Sequence, residues 1–168
     1  GIIGLSIVLF FMLIYYRLPG GLADLSLIIY VLLNLALYKL APVTLTLPGI
    51  AGFLLSAGMA VDANILIFER MKEELRRGRS LVLAIEAGFS RAWTSIRDSQ
   101  LSTLIICAIL FFFGSNYGAS IVKGFAITLA IGTAINIFTA VFATRIFLRQ
   151  VAASAGEWLA ERKWLLGV

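Results

Sequence analysis

The chain has 168 residues, of which 61% are hydrophobic and only 14% charged, with a mean hydropathy of +0.99 and no histidine. That is too apolar for a soluble domain and fits a polytopic membrane protein, in which a net charge of +5 marks the loops and gives no support to nucleic-acid binding. The single cysteine, Cys107, lies in an apolar run, so there is no intrachain disulfide and no basis for a zinc site.

The sequence begins at Gly1 already inside a hydrophobic segment, which reads as a fragment lacking its upstream part. Ile2–Tyr16 has neither the basic leader nor the small-residue cleavage site of a signal peptide. The predicted spans, in order, are Ile2–Tyr16, Leu22–Ala41, Gly49–Phe68, Asp98–Phe113 and Val122–Phe147. A crossing helix needs ~20 residues. The first therefore reads as truncated, and the fourth is expected to begin a turn earlier, near Thr94. Pro19, Pro42 and Pro48 all fall between spans, where a missing amide donor does no harm.

Five crossings put the two ends on opposite sides, and the basic residues decide which is which. Arg17, Arg70, Lys72, Arg76, Arg77, Arg79, Arg91, Arg97, Arg145, Arg149, Arg162 and Lys163 would share one side, leaving only Lys39 and Lys123 on the other. The basic side is expected to be cytoplasmic, with Gly1 outside and Val168 inside.

Between the third and fourth spans runs one long loop. Ser80 is placed to cap a helix in which Val82, Ile85, Phe89, Trp93 and Ile96 recur at helical spacing, predicting an amphipathic helix on the inner membrane surface. The preceding charges, Lys72 to Arg77, read as a solvated extension, with contact to anionic lipid or a cytoplasmic partner as the alternative. Residues 151–168, with Trp158, Trp164 and Leu165 among Glu157, Glu161, Arg162 and Lys163, read as a cytoplasmic amphipathic tail after a transmembrane domain of residues 1–150.

The third span carries a carboxyl group, Asp62, late in an apolar run whose other polar members are Ser56 and Asn64. Acids at such depth are costly and are functional candidates, here as a proton carrier whose charge state changes with packing. The plainer alternative is a hydrogen bond that pins two helices together, worth only ~0.6 to 2 kcal/mol. Small and polar residues run at four-residue spacing along two spans, Gly52–Ser56–Ala60–Asn64 and Gly124–Thr128–Gly132–Asn136–Ala140–Thr144. Each stripe is expected to face the bundle interior. Asn64, Thr128 and Asn136 are candidates for hydrogen bonds around Asp62, and Glu69 lies seven residues on at the cytoplasmic end. At the mouth of the fourth span, Asp98 caps the helix, pairs with Arg97 or serves as an inner proton exit, with Thr103 nearby. No phosphate-cradling loop, catalytic triad, metal-ligand cluster or nucleotide motif can be read, so no cofactor, metal or hydrolytic step is expected.

The run Gly58-Met-Ala-Val-Asp-Ala-Asn64, followed by Ile67-Phe-Glu-Arg70, resembles the signature of the SecD/SecF family of protein-export membrane proteins, within the resistance-nodulation-division (RND) superfamily of proton-driven transporters. The resemblance continues through Ala84–Trp93, Ile96–Thr103 and Val122–Thr128, covering nearly the whole chain in order. Asp98-Ser-Gln-Leu-Ser-Thr103 stands where family members tend to read Asp-Ala-Asn-x-Thr-Thr. The resemblance implies an all-α half of a pseudo-two-fold bundle, formed by the second to sixth helices of a SecD-type half, with Asp62 at the proton-carrying position. It also implies a SecF half, separate or fused, and the SecYEG translocon as partners, with YajC and YidC beside them and an unfolded exported polypeptide as substrate. The setting would be the bacterial cytoplasmic membrane. An RND-type exporter of lipids or small molecules, and a passive scaffold, are the alternatives.

Overall fold

The computed structural model describes residues 2–41 and 45–161. Among them every element is helical: α1 (Ile2–Leu40), α2 (Leu47–Arg76), α3 (Leu81–Asn116), α4 (Ser120–Phe138), a π-helical turn (Thr139–Ala143) and α5 (Thr144–Glu161). Arg162, Lys163, Trp164 and Leu165 of the expected tail lie outside the described residues, as does Pro42.

At ~1.5 Å per residue the 39 residues of α1 would extend nearly twice the ~30 Å of a hydrocarbon core. The helix does not run straight. Arg17 adopts φ 51°, ψ −114°, and Pro19 follows it. The chain folds back so tightly that a Cβ added at Gly20 would lie 2.1 Å from the Met12 carbonyl oxygen, so this return needs glycine. One long helix thus becomes two limbs, matching the first two expected spans.

Thr46 caps α2 by accepting a hydrogen bond from the Gly49 amide, with Pro48 in the first turn. At 30 residues α2 overshoots the bilayer, and its last turns carry the charges from Arg70 onward. α3 is longer still at 36 residues. The expected surface helix and the fourth span are one continuous helix, because nothing between Thr94 and Asp98 breaks the backbone. Its first half turns back onto the end of α2 through Gly78, at φ +85°. Ser80 occupies the N-cap position without a capping bond from its side chain.

The buried face of this half of α3 also differs from the expected one. Ile85, Phe89 and Ile96 are buried, but Val82 and Trp93 are exposed, and Ala84, Gly88 and Ala92 take the inner positions. Gly88 sits so close to Met71 that a Cβ there would be 2.9 Å from the Met71 nitrogen. Close backbone approach between the charged end of α2 and the first half of α3 has set the rotation of the helix, in preference to burial of its largest side chains. The charge cluster closes the same hairpin. Glu74 is almost wholly buried and pairs with Arg77 (3.0 Å), Arg79 (2.9 Å) and Arg91 (2.6 Å), while Lys72 packs over the Tyr15 and Tyr16 rings of α1.

The small-residue stripes meet face to face. A Cβ at Gly52 would lie 2.5 Å from the Thr128 hydroxyl and 2.8 Å from the Phe125 carbonyl, and one at Gly132 would lie 2.1 Å from the Ser56 hydroxyl. Both helices run in the same direction, so α2 and α4 cross in contact over several turns. Outside this core, Phe10, Leu32, Ile109 and Phe112 are among many large apolar side chains left exposed, as a lipid-facing surface requires.

The charge asymmetry makes a prediction that labelling can check. With Cys107 replaced by alanine, a cysteine at Gly118, in the turn between α3 and α4, should react with an impermeant thiol reagent added to intact cells. One at Arg77 should stay unlabelled until the membrane is breached. The reverse pattern would invert the orientation.

Candidate functional site

Asp62 projects from α2 about 21 Å along the helix from Pro48, past the middle of the apolar run and toward its basic end. It is exposed in this half-bundle and makes no hydrogen bond or ion pair among the described residues. Beside it lies a crevice of about 120 Å³, lined on the α2 side by Met59, Ala63 and Leu66 and on the α3 side by Ser95, Ser99 and Gln100. That is room for several waters. Gln100 is buried and its Oε1 has no partner, so an acceptor is left available at the back of the crevice. Ser95, Ser99 and Thr103 recur every fourth residue on α3, and Thr103 reaches the Met59 sulfur at 3.8 Å. Ser95 and Ser99 are absent from the sequence-derived candidates, although their spacing was legible as one polar face.

The other candidates do not gather around Asp62. Asn64, two residues along, points some 200° away, as helical geometry demands. Its Oδ1 accepts from the Thr144 hydroxyl at 2.9 Å, and Thr144 lies 3.0 Å from the Ser26 hydroxyl, so one buried polar knot joins α1, α2 and α5. The knot follows the π-helical turn, where the Thr144 amide reaches back to the Thr139 carbonyl. Such bulges often mark functional positions. Thr128 turns its hydroxyl onto its own helix, to the Gly124 and Phe125 carbonyls, and so serves close packing. Asn136 is fully buried and neither of its amide atoms has a partner. One turn away, the Tyr30 and Ser56 hydroxyls share a 2.5 Å hydrogen bond.

Near the surface, Asp98 pairs with Arg97 at 2.9 Å, both more than half exposed, and Thr103 donates to the Ser99 carbonyl. Glu69 accepts from the Tyr16 hydroxyl at 3.0 Å and faces α1. Asp24, in the second limb of α1, is a further acid inside an apolar run, and its Oδ2 is buried without a partner. It bears the same sequence signal as Asp62 and is missing from the sequence-derived site. In the first half of α3, outside the apolar span, Glu86 pairs with Arg145 and Arg149 of α5. Hydrogen bonding from Arg145 holds its carboxyl below the usual range; partial burial opposes this and Arg149 reinforces it.

Four helices long and apolar enough to cross a membrane, the first of them folded into two limbs, with an acid on an exposed face of α2, make this the helical part of a multi-pass membrane protein. The chain belongs to the SecD/SecF family: residues 2–153 match the family described as protein export membrane protein SecD/SecF, C-terminal. It is 57% identical over 168 residues to the protein translocase subunit SecD of Thermobaculum terrenum, covering all of this chain and 32% of that protein. It is 58% identical over 154 residues to the SecD subunit of Synechocystis sp., covering 92% of this chain and 32% of that one. The fold is similar to the crystal structure of SecDF, a translocon-associated membrane protein from Thermus thermophilus, with a TM-score of 0.84 and 38% identity over 90% of this chain and 21% of the larger one. The chain thus spans about a third of the length of the curated relatives it matches.

Proposed function

We propose that this half-bundle is the membrane part of a SecD-type translocase subunit which, paired with a SecF half, uses proton movement through Asp62 to drive late steps of polypeptide translocation across the bacterial cytoplasmic membrane. The observation that carries the reading is the placement of Asp62. It is the acid of α2 left without a partner, on a face bounded by Gly58, where an added Cβ would meet nothing within 4 Å, and by the crevice toward α3. A second half-bundle laid on that face would bury Asp62 and supply what surrounds it. A carboxyl group that is alternately covered and hydrated can take a proton on one side and release it on the other, provided the two arrangements interconvert.

The role is that of a coupling subunit. Neither cofactor nor hydrolysis enters it, and the chemical work of insertion belongs to the ATP-driven motor acting through SecYEG. YajC, YidC and the unfolded polypeptide itself complete the set of partners, and the tail beyond residue 150 lies on the cytoplasmic side. Membrane vesicles containing the full-length protein with its SecF half provide the test. Once ATP-driven insertion has begun, an imposed proton gradient should speed completion of translocation, and vesicles lacking the pair should show no such response. Equal stimulation with and without the pair would reject the reading.

A further inference from the structure

A second hollow, of about 510 Å³, opens toward the charged end of the bundle and shares Ile96 with the crevice beside Asp62. Its walls are Ile67 of α2 with Phe89, Trp93 and Ile96 of α3, and its charged end is formed by Glu86 and Arg145. The volume is in the range of small-ligand sites, ~300 to 1,000 Å³. The chemistry is graded along α3. Glu86 and Ile96 are ten residues apart, about 15 Å of helix, with the charges at the end away from the apolar span and the apolar side chains leading toward it.

The charges do not balance. Arg145 and Arg149 share the single carboxylate of Glu86, which leaves one positive charge over, and the Arg145 Nε is buried without a hydrogen-bond partner. The Arg145 guanidinium also lies 5.8 Å from the centre of the Phe89 ring, which places it at the junction of the polar and apolar parts. Trp93 is 38% exposed at the edge, the partial exposure common for tryptophan at a membrane interface. A ligand that fits must be anionic at one end and hydrocarbon at the other, and must lie with its charge at the cytoplasmic surface.

We infer that this hollow seats an anionic phospholipid of the cytoplasmic leaflet, with its phosphate on Arg145 and Arg149 and one acyl chain along Phe89, Trp93 and Ile96. A lipid so placed would bridge the cytoplasmic extension of α3 to α5, just after the π-helical turn. The seat adjoins the crevice beside Asp62 through Ile96, but the arginines that would hold the phosphate are not part of that crevice, so its failure in a test would leave the proposed function standing.

The test uses the full-length protein with its SecF half, stripped of lipid in detergent and offered equal amounts of phosphatidylglycerol and phosphatidylcholine, with retained lipid counted by native mass spectrometry. The parent should keep phosphatidylglycerol in preference. Arg145→Gln should cut that retention about fivefold, the worth of one basic group at a membrane surface, and Glu86→Gln should raise it by a similar factor because it frees both arginines. If the three residues form only a structural ion pair, Glu86→Gln will lose lipid as Arg145→Gln does, and the inference fails. It fails equally if the parent holds both lipids alike, or if a photocrosslinking residue in place of Trp93 attaches to a protein chain instead of to lipid.

Discussion

Asp62→Asn should insert, fold and pair with a SecF half as the parent does, yet reduce gradient-stimulated translocation to the level seen with no gradient, while ATP-driven insertion continues. The amide keeps the size of the carboxyl group and most of its hydrogen-bonding capacity. No contact is lost, because Asp62 is exposed in the half-bundle and makes no hydrogen bond or ion pair among the described residues. A substitution of that kind normally changes stability by less than about 0.5 kcal/mol. What it removes is the exchangeable proton. The comparison is made in vesicles with matched amounts of assembled protein, with and without an imposed gradient. Stimulation at the parental level would reduce Asp62 to a structural hydrogen-bonder. Asp98→Asn serves as a contrast, since that carboxylate sits in an exposed pair with Arg97 and should change little.

Gly132→Leu is expected to do the opposite, harming assembly before any chemistry. Even the first atom of a side chain at this position would lie 2.1 Å from the Ser56 hydroxyl, 2.6 Å from the Ser56 Cβ and 2.8 Å from the Tyr30 hydroxyl. Rotation of Ser56 could move its oxygen but not its Cβ, so α2 and α4 would have to separate. The short Tyr30–Ser56 hydrogen bond would break as well. Overpacking alone costs about 1 to 3 kcal/mol, and this site belongs at the upper end because two helices and a buried hydrogen bond are displaced together. The variant should accumulate poorly in membranes and melt at lower temperature. Gly58→Leu is the control for the half-bundle, because nothing lies within 4 Å of a Cβ there. If Gly132→Leu melts with the parent, the two stripes are not in contact.

The number of crossings, their order and the two small-residue stripes were legible because each depends on local composition or on helical period. An apolar run of membrane length needs no partner to identify it, and residues four apart share a face whatever surrounds the helix. Asp62 stood out for the same reason, as an acid in a run with little else that is polar. Period alone could also have separated Asn64 from Asp62, since two residues on a helix diverge by 200°, and it could have grouped Ser95, Ser99 and Thr103.

What period cannot give is the rotation of a helix about its own axis, which is set by the neighbour against which it packs. Ala84, Gly88 and Ala92 took the inner face of α3 from Val82 and Trp93 because the backbone of α2 lay close enough for only small residues to fit. Thr128 bonds its own helix, Asn64 meets Thr144 across eighty positions of sequence, and the carboxylate of Glu86 is shared by two arginines from α5. The partners of Asn64 and Glu86 are remote in the chain, so tertiary packing decided which of those polar groups meet. It left Asp62 facing outward and its expected companions turned inward.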